Sequence, residues 1–138
     1  GCHCGRDCER VGCMILIIGG AYQGKLDYAK EIYPRISWID GRSCGEEDVY
    51  ECQGIHHFHV YIERMMRNDI LPEDFAEQIL KRNPEMIVIS DEIGYGIVPA
   101  DPFERVYREQ TGRICTRLAK EAEIVHRVSC GIGKVIKG

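Results

Sequence analysis

Residues 14–31, MILIIGGAYQGKLDYAKE, narrow the possible folds more than any other part of this chain. Residues 14–18 are apolar without alternation, which predicts a strand buried on both faces. Gly19 and Gly20 end that strand, and residues 25–32 carry good helix formers before Pro34 stops them. A strand buried on both faces needs helices above and below its sheet. A strand that feeds straight into a helix makes a parallel neighbour the natural next step.

The rest of the chain repeats the alternation. ISWID (36–40) predicts a second short strand ended by Gly41. In GIHHFHVYIERMM the apolar positions Ile55, Phe58, Ile62 and Met65 recur at helical spacing, which predicts a helix from the start of that stretch. Leu71-Pro72-Glu73 opens another helix that reaches about Arg82, where Asn83-Pro84 stops it. EMIVIS (85–90) predicts a third strand, followed by the glycine-spaced loop DEIGYGIVPADP. Asp101 as cap, Pro102 in the first turn and Glu104 completing a capping box predict a helix to about Glu121, bent near Gly112. Two β-rich segments around Gly131 and Gly133 close the chain. The expectation is an α/β fold with a mostly parallel sheet.

Gly19 to Lys25 fits the G-x-x-x-x-G-K half of a phosphate-binding loop. Glycines let backbone N–H groups curl around phosphate oxygens, and the following helix adds its N-terminal dipole. Strand, loop and helix stand in the right order, so the fold expectation sharpens to a P-loop NTPase-like three-layer domain over residues 14–138. Its nucleotide seat would be Gly19, Gly20, Ala21, Tyr22, Gln23, Gly24, Lys25 and Leu26. Leu26 offers no oxygen where a serine or threonine normally ligates magnesium. Asp40, at the end of its strand, is the first candidate to supply one, and Glu51 is the second. Asp40 is equally readable as a turn residue before Gly41.

Composition sets outer bounds. The 138 residues suit one domain, and 44% hydrophobic content supports a core. Net charge is −4 with no dense Lys/Arg block, which argues against nucleic acid as a partner. The longest apolar run is far short of the ~20 residues of a membrane helix. No basic stretch followed by an apolar core opens the chain, so an intracellular, cytoplasmic setting is the expectation. Four of the eight cysteines, Cys2, Cys4, Cys8 and Cys13, crowd a leader of 13 residues. Their spacings match no paired metal-binding framework, and the leader reads either as a metal ligand set or as a segment outside the folded domain.

The stretch VISDEIGYGIVPADPFERVYREQTGR is the most individual in the chain. Together with GGAYQGKL, ERVYREQTGRICTRLA and VSCGIGKVIK, it resembles the bifunctional adenosylcobinamide kinase/adenosylcobinamide-phosphate guanylyltransferases of cobalamin biosynthesis. The resemblance runs from Met14 to about Lys137. It implies GTP or ATP with Mg2+ at the first loop, and phosphorylation of a corrinoid alcohol, adenosylcobinamide. A second implied step moves GMP to that phosphate through a guanylylated histidine, and a homo-oligomer is implied as well. Carried over by position, Lys25 faces the phosphates. Asp91, Glu92, Gly94, Gly96 and Pro99 form a second active-site loop, and Arg105 and Arg113 lie on its helix.

The departures are specific. Tyr22-Gln23 replaces the family's Arg-Ser, Leu26 its Ser, Asp91 its Asn, and Cys115-Thr116 its Asn-Gln. The segment holding the family's histidine is shortened, since Ile32 passes almost directly to Trp38. His57, in the group His56, His57 and His59, is the candidate replacement nucleophile. The same three imidazoles are readable as metal ligands, as a base-stacking surface, or as ordinary partly exposed helix residues. Two functions follow. One is a corrinoid kinase with Lys25 against the phosphates and Asp40, Asp91 or Glu92 holding metal, Lys25 and Glu92 being its catalytic pair. The other is a degenerate relative that binds nucleotide or corrinoid without turnover.

Overall fold

The structure, a computed structural model, describes residues 14–21, 23–92 and 101–138. Six strands form one sheet: β1 (Ile15–Gly19), β2 (Trp38–Asp40), β3 (Gly54–His56), β4 (Ile87–Asp91), β5 (Ile124–Ser129) and β6 (Ile132–Lys137). Their order is β2-β3-β4-β1-β5-β6. All pairings are parallel except β5 with β6, which is antiparallel. The helices are α1 (Lys25–Ile32), α2 (Phe58–Arg67), α3 (Phe75–Arg82) and α4 (Pro102–Glu121).

The side-chain alternation of β1 divides the core. Ile15 and Ile17 join Ile87, Ile89 and Val128 on one face, covered by Ala29 and Leu26 of α1. Leu16 joins Ile55, Val88 and Val125 on the other face, beneath α2, α3 and α4. The architecture is therefore three-layered, with the central strand buried on both sides as the apolar run requires. No helix among the described residues is long and apolar enough to cross a membrane.

Three expectations are corrected. The helix expected from Ile55 begins at Phe58, because residues 54–56 form β3 between β2 and β4. Ile55 is buried at helical spacing from Phe58 only because a strand leads directly into the helix. Gly112 does not bend α4, which runs unbroken through it. Asp101 caps α4 by accepting from the Phe103 N–H at 3.0 Å, but Glu104 binds Arg108 and does not complete a capping box.

The face under α1 contains a buried histidine. His126 of β5 lies between Tyr28 and Tyr33, whose hydroxyls approach Nδ1 and Nε2 at 2.9 Å each. Burial pushes His126 below the ordinary histidine value of 6.5, and it does the same to His56 and His59. The unfolded chain therefore takes up these protons first as pH falls. Their contribution is complete above about pH 6.5 and is lost below it. Thermal unfolding is expected to move to lower temperature between about pH 7 and pH 5. His126→Asn should lower the midpoint at neutral pH and flatten that slope.

Candidate phosphate-binding site

Gly24 takes a left-handed conformation, φ 81°, immediately before α1. Only glycine adopts this without strain, and it turns the chain so that the helix N-terminus opens onto the loop. The first helical bond inside α1 runs from the Tyr28 N–H to Gly24 O, and no side chain caps the helix. The N–H groups of the first turn thus point into the loop, as an anion seat requires. Gly19 permits the close approach of β5, because a Cβ there would lie 2.4 Å from Val128 O.

Lys25 is buried, and its ammonium donates to Gly20 O at 2.7 Å. It also pairs with Asp91 Oδ1 at 2.7 Å. Asp91 ends β4 directly beside Gly19 of β1. Its other oxygen, Oδ2, lies 3.2 Å from His59 Nε2, while the Asp91 N–H donates to His59 Nδ1 at 3.2 Å. Nδ1 therefore carries the lone pair, and Nε2 carries the proton offered to the carboxylate. Burial lowers His59, in keeping with a neutral ring. Lys25, Asp91 and His59 form one connected set at the carboxyl edge of the sheet.

Glu92 lies just beyond. Its N–H donates to Gly19 O at 2.8 Å, and its carboxylate pairs with Arg127 of β5. The two side chains thereby bridge β4 and β5 over the end of β1. Gln23 ties the loop to the turn between β5 and β6. Its side-chain oxygen accepts from the Cys130 N–H at 2.6 Å, and its carbonyl accepts from the Gly131 N–H at 2.7 Å.

The remaining sequence candidates are spread out. Gly19, Gly20, Ala21, Gln23, Gly24 and Leu26 line or flank the loop, and Leu26 packs against the apolar face under α1. Tyr22, Gly94, Gly96, Pro99 and the cysteine leader lie outside the described residues. Asp40 was expected beside the phosphate loop, but β3 and β4 stand between β2 and β1, so β4 and Asp91 take that place. Asp40 is held by Arg42 instead, which keeps its carboxyl low, at about 2. Glu51 is exposed and precedes β3, at the sheet edge opposite the loop.

Arg105 is exposed in the first turn of α4. Arg113 lies roughly 17 Å farther along that helix than Pro102. There it pairs with Glu109 and lines a groove between α3 and α4. His56 and His57 are not helical: His56 ends β3, and His57 takes a left-handed conformation, φ 56°, before α2. His59, in the first turn of α2, was read only as one of three clustered histidines, and its place on Asp91 was not foreseen. Its signal is visible once β3 is seen to end at His56, because the next turn of chain must then pass the end of β4.

A buried strand, a glycine turn, an uncapped helix N-terminus and a lysine beside an adjacent-strand carboxylate define an α/β protein of the phosphate-binding-loop class. The family model described as cobinamide kinase / cobinamide phosphate guanyltransferase, CobU, matches residues 52–136. The chain belongs to that family. The bifunctional adenosylcobalamin biosynthesis protein CobU of Salmonella typhimurium (strain LT2) is 40% identical over 53 residues. That alignment covers 38% of this chain and 29% of the relative's length. The family match begins beyond Lys25, so the loop stands on its own geometry.

Proposed function

We propose that the chain binds GTP or ATP with Mg2+ at the Gly19–Leu26 loop and transfers the terminal phosphoryl group to a corrinoid alcohol, adenosylcobinamide, in cobalamin biosynthesis. The observation that carries this reading is the pairing of Lys25 with Asp91 at the junction of β1 and β4. It puts a cation and a carboxylate where a polyphosphate and its metal must both be met. Family membership supports the substrate class.

In this reading Lys25 leaves Asp91 and Gly20 O to meet the phosphate oxygens. Asp91, still fixed by His59, supplies the oxygen that Leu26 lacks. Asp91 would hold Mg2+ there, and the ion would supply neutralisation of the charge that develops on the phosphates. Glu92 accepts the proton of the corrinoid hydroxyl. The new bond joins that oxygen to the γ-phosphorus, and the bond from the β-phosphate oxygen breaks with its electrons leaving on the nucleoside diphosphate. Positioning and charge neutralisation carry most of the acceleration.

A second reading, binding without turnover, is favoured by Leu26, whose apolar packing puts no oxygen at the metal position. The two are separated by one pair of measurements. GTP or ATP is expected to raise the melting temperature more with Mg2+ than without it, and adenosylcobinamide is expected to appear phosphorylated in a direct assay. A Mg2+-independent shift with no phosphorylated product leaves the binding reading alone. Asp91→Asn, which keeps the shape and removes the charge, should abolish the Mg2+ dependence while leaving some metal-free nucleotide binding.

A further inference from the structure

The histidine pair that the phosphate site does not use stands at the carboxyl ends of β2 and β3. Asp40 and His56 are register partners on these parallel strands, and His57 follows at the cap of α2. His56 Nδ1 lies 2.8 Å from His57 Nδ1, and His57 Nδ1 lies 3.6 Å from Asp40 Oδ1. One donor atom from each residue falls within 4.8 Å of the others. We infer that Asp40, His56 and His57 form a binding site for a divalent cation of the zinc class, separate from the nucleotide site.

The placement is fixed by contacts other than those among the three donors. The Gly41 N–H donates to His56 O at 2.7 Å, and a Cβ at Gly41 would lie 2.2 Å from His57 O, so the two strand ends are clamped together. Arg64 donates to Gly41 O at 2.8 Å and to Cys44 O at 2.9 Å, which holds the turn after β2. Arg42 donates to both Asp40 oxygens, and its shortest bond, 2.8 Å, is to Oδ2. Oδ1 also accepts from the Arg42 backbone N–H at 2.9 Å, so Arg42 fixes the carboxylate in the manner of an outer-shell partner while Oδ1 lies 3.6 Å from His57 Nδ1. The left-handed backbone of His57 is unusual for a residue with a Cβ, and it turns this ring toward its neighbour.

Between the two Nδ1 atoms one ring must donate hydrogen to the other's lone pair. Moving that hydrogen to Nε2 of the same ring leaves two lone pairs converging, with no net change in protonation. Zinc bound to imidazole nitrogens at about 2.05 Å in tetrahedral geometry sets its ligand atoms about 3.3 Å apart. The 3.6 Å separation is already close to this, and the 2.8 Å separation needs to open by about 0.5 Å. Two imidazoles and one carboxylate favour Zn2+, Co2+ or Ni2+ over Mg2+. Three protein donors leave a position open for water or a substrate oxygen, and the partial exposure of His57 (37%) and Asp40 (27%) gives access to it. β3 is two strand spacings from β1, about 10 Å, so the cation is distinct from one held on the nucleotide phosphates.

The test uses the full chain with Cys2, Cys4, Cys8 and Cys13 changed to serine, so that thiolates of the leader contribute nothing. Co2+ alone is the probe and Zn2+ alone the competitor. One equivalent of Co2+ should give the visible absorption of a tetrahedral ion without a sulfur charge-transfer band. Zn2+ should displace it, and a large excess of Mg2+ should not. His56→Ala and His57→Asn should each weaken binding at least about tenfold. Asparagine accepts the left-handed backbone, so His57→Asn keeps the fold, as circular dichroism would verify. Absence of stoichiometric Co2+ binding, a thiolate band, or unchanged affinity in the two variants would overturn the assignment. None of these outcomes depends on nucleotide binding or phosphoryl transfer.

Discussion

Lys25→Ala is expected to remove the response to GTP and ATP and to lower any phosphoryl transfer roughly a hundred- to a thousandfold. The ammonium is buried and is the cation aimed at the loop, through Gly20 O and Asp91. Its loss takes away a charge that the backbone N–H groups of α1 do not supply. The fold should survive, because Asp91 retains His59 on both its carboxylate and its N–H. The check is a nucleotide titration followed by melting temperature, with and without Mg2+, beside a denaturant curve of the free protein. Lys25→Arg should rescue poorly, since a planar fork replaces a point charge in a seat shaped around Gly20. A variant that responds to nucleotide as the parent does would remove the functional reading altogether.

Phe75→Ala is expected to cost about 3–5 kcal/mol of stability, a large share of the roughly 5–15 kcal/mol of a typical domain. Phe75 opens α3 and is 1% exposed. Its ring stacks on Phe58 at 5.9 Å and on Tyr61 at 5.7 Å, and meets Tyr50 edge-on at 6.3 Å. The three rings are anchored by their own backbones, Phe58 and Tyr61 on α2 and Tyr50 ahead of β3, so none is free to move in and fill the space. Urea unfolding should show a lower midpoint at nearly unchanged slope. Activity per folded molecule should be unchanged, since none of the bonds described at the phosphate loop comes from α3. A loss below about 1 kcal/mol would mean that α3 is not seated as described.

Residues 14–32 announced the strand, the loop and α1 because a continuous apolar run, a glycine pair and helix formers all agree there. Asp101 and Pro102 likewise marked the start of α4. β3 stayed hidden because it is three residues long and its one core residue, Ile55, falls in phase with the apolar stripe of α2. That error also assigned His56 and His57 to a helix, and it concealed both the edge-strand cluster with Asp40 and the role of His59. Asp91 was named from the family pattern, but its bond to Lys25 was not foreseen. Strand order is a long-range property, and nothing local to Asp40 or Asp91 says which strand will lie beside β1. The α3–α4 placement of Arg113 has the same origin, since its helix was legible and its facing partner was not.

The bonds from Gln23 to Cys130 and Gly131 join positions more than a hundred residues apart. β1 is flanked by β4 and β5, both of which follow it in the chain by about 70 residues or more. A nascent chain therefore holds this apolar segment unpaired until both neighbours have emerged, an interval in which chaperones have most to shield. The posture of the phosphate loop is set later still, once the closing hairpin has emerged.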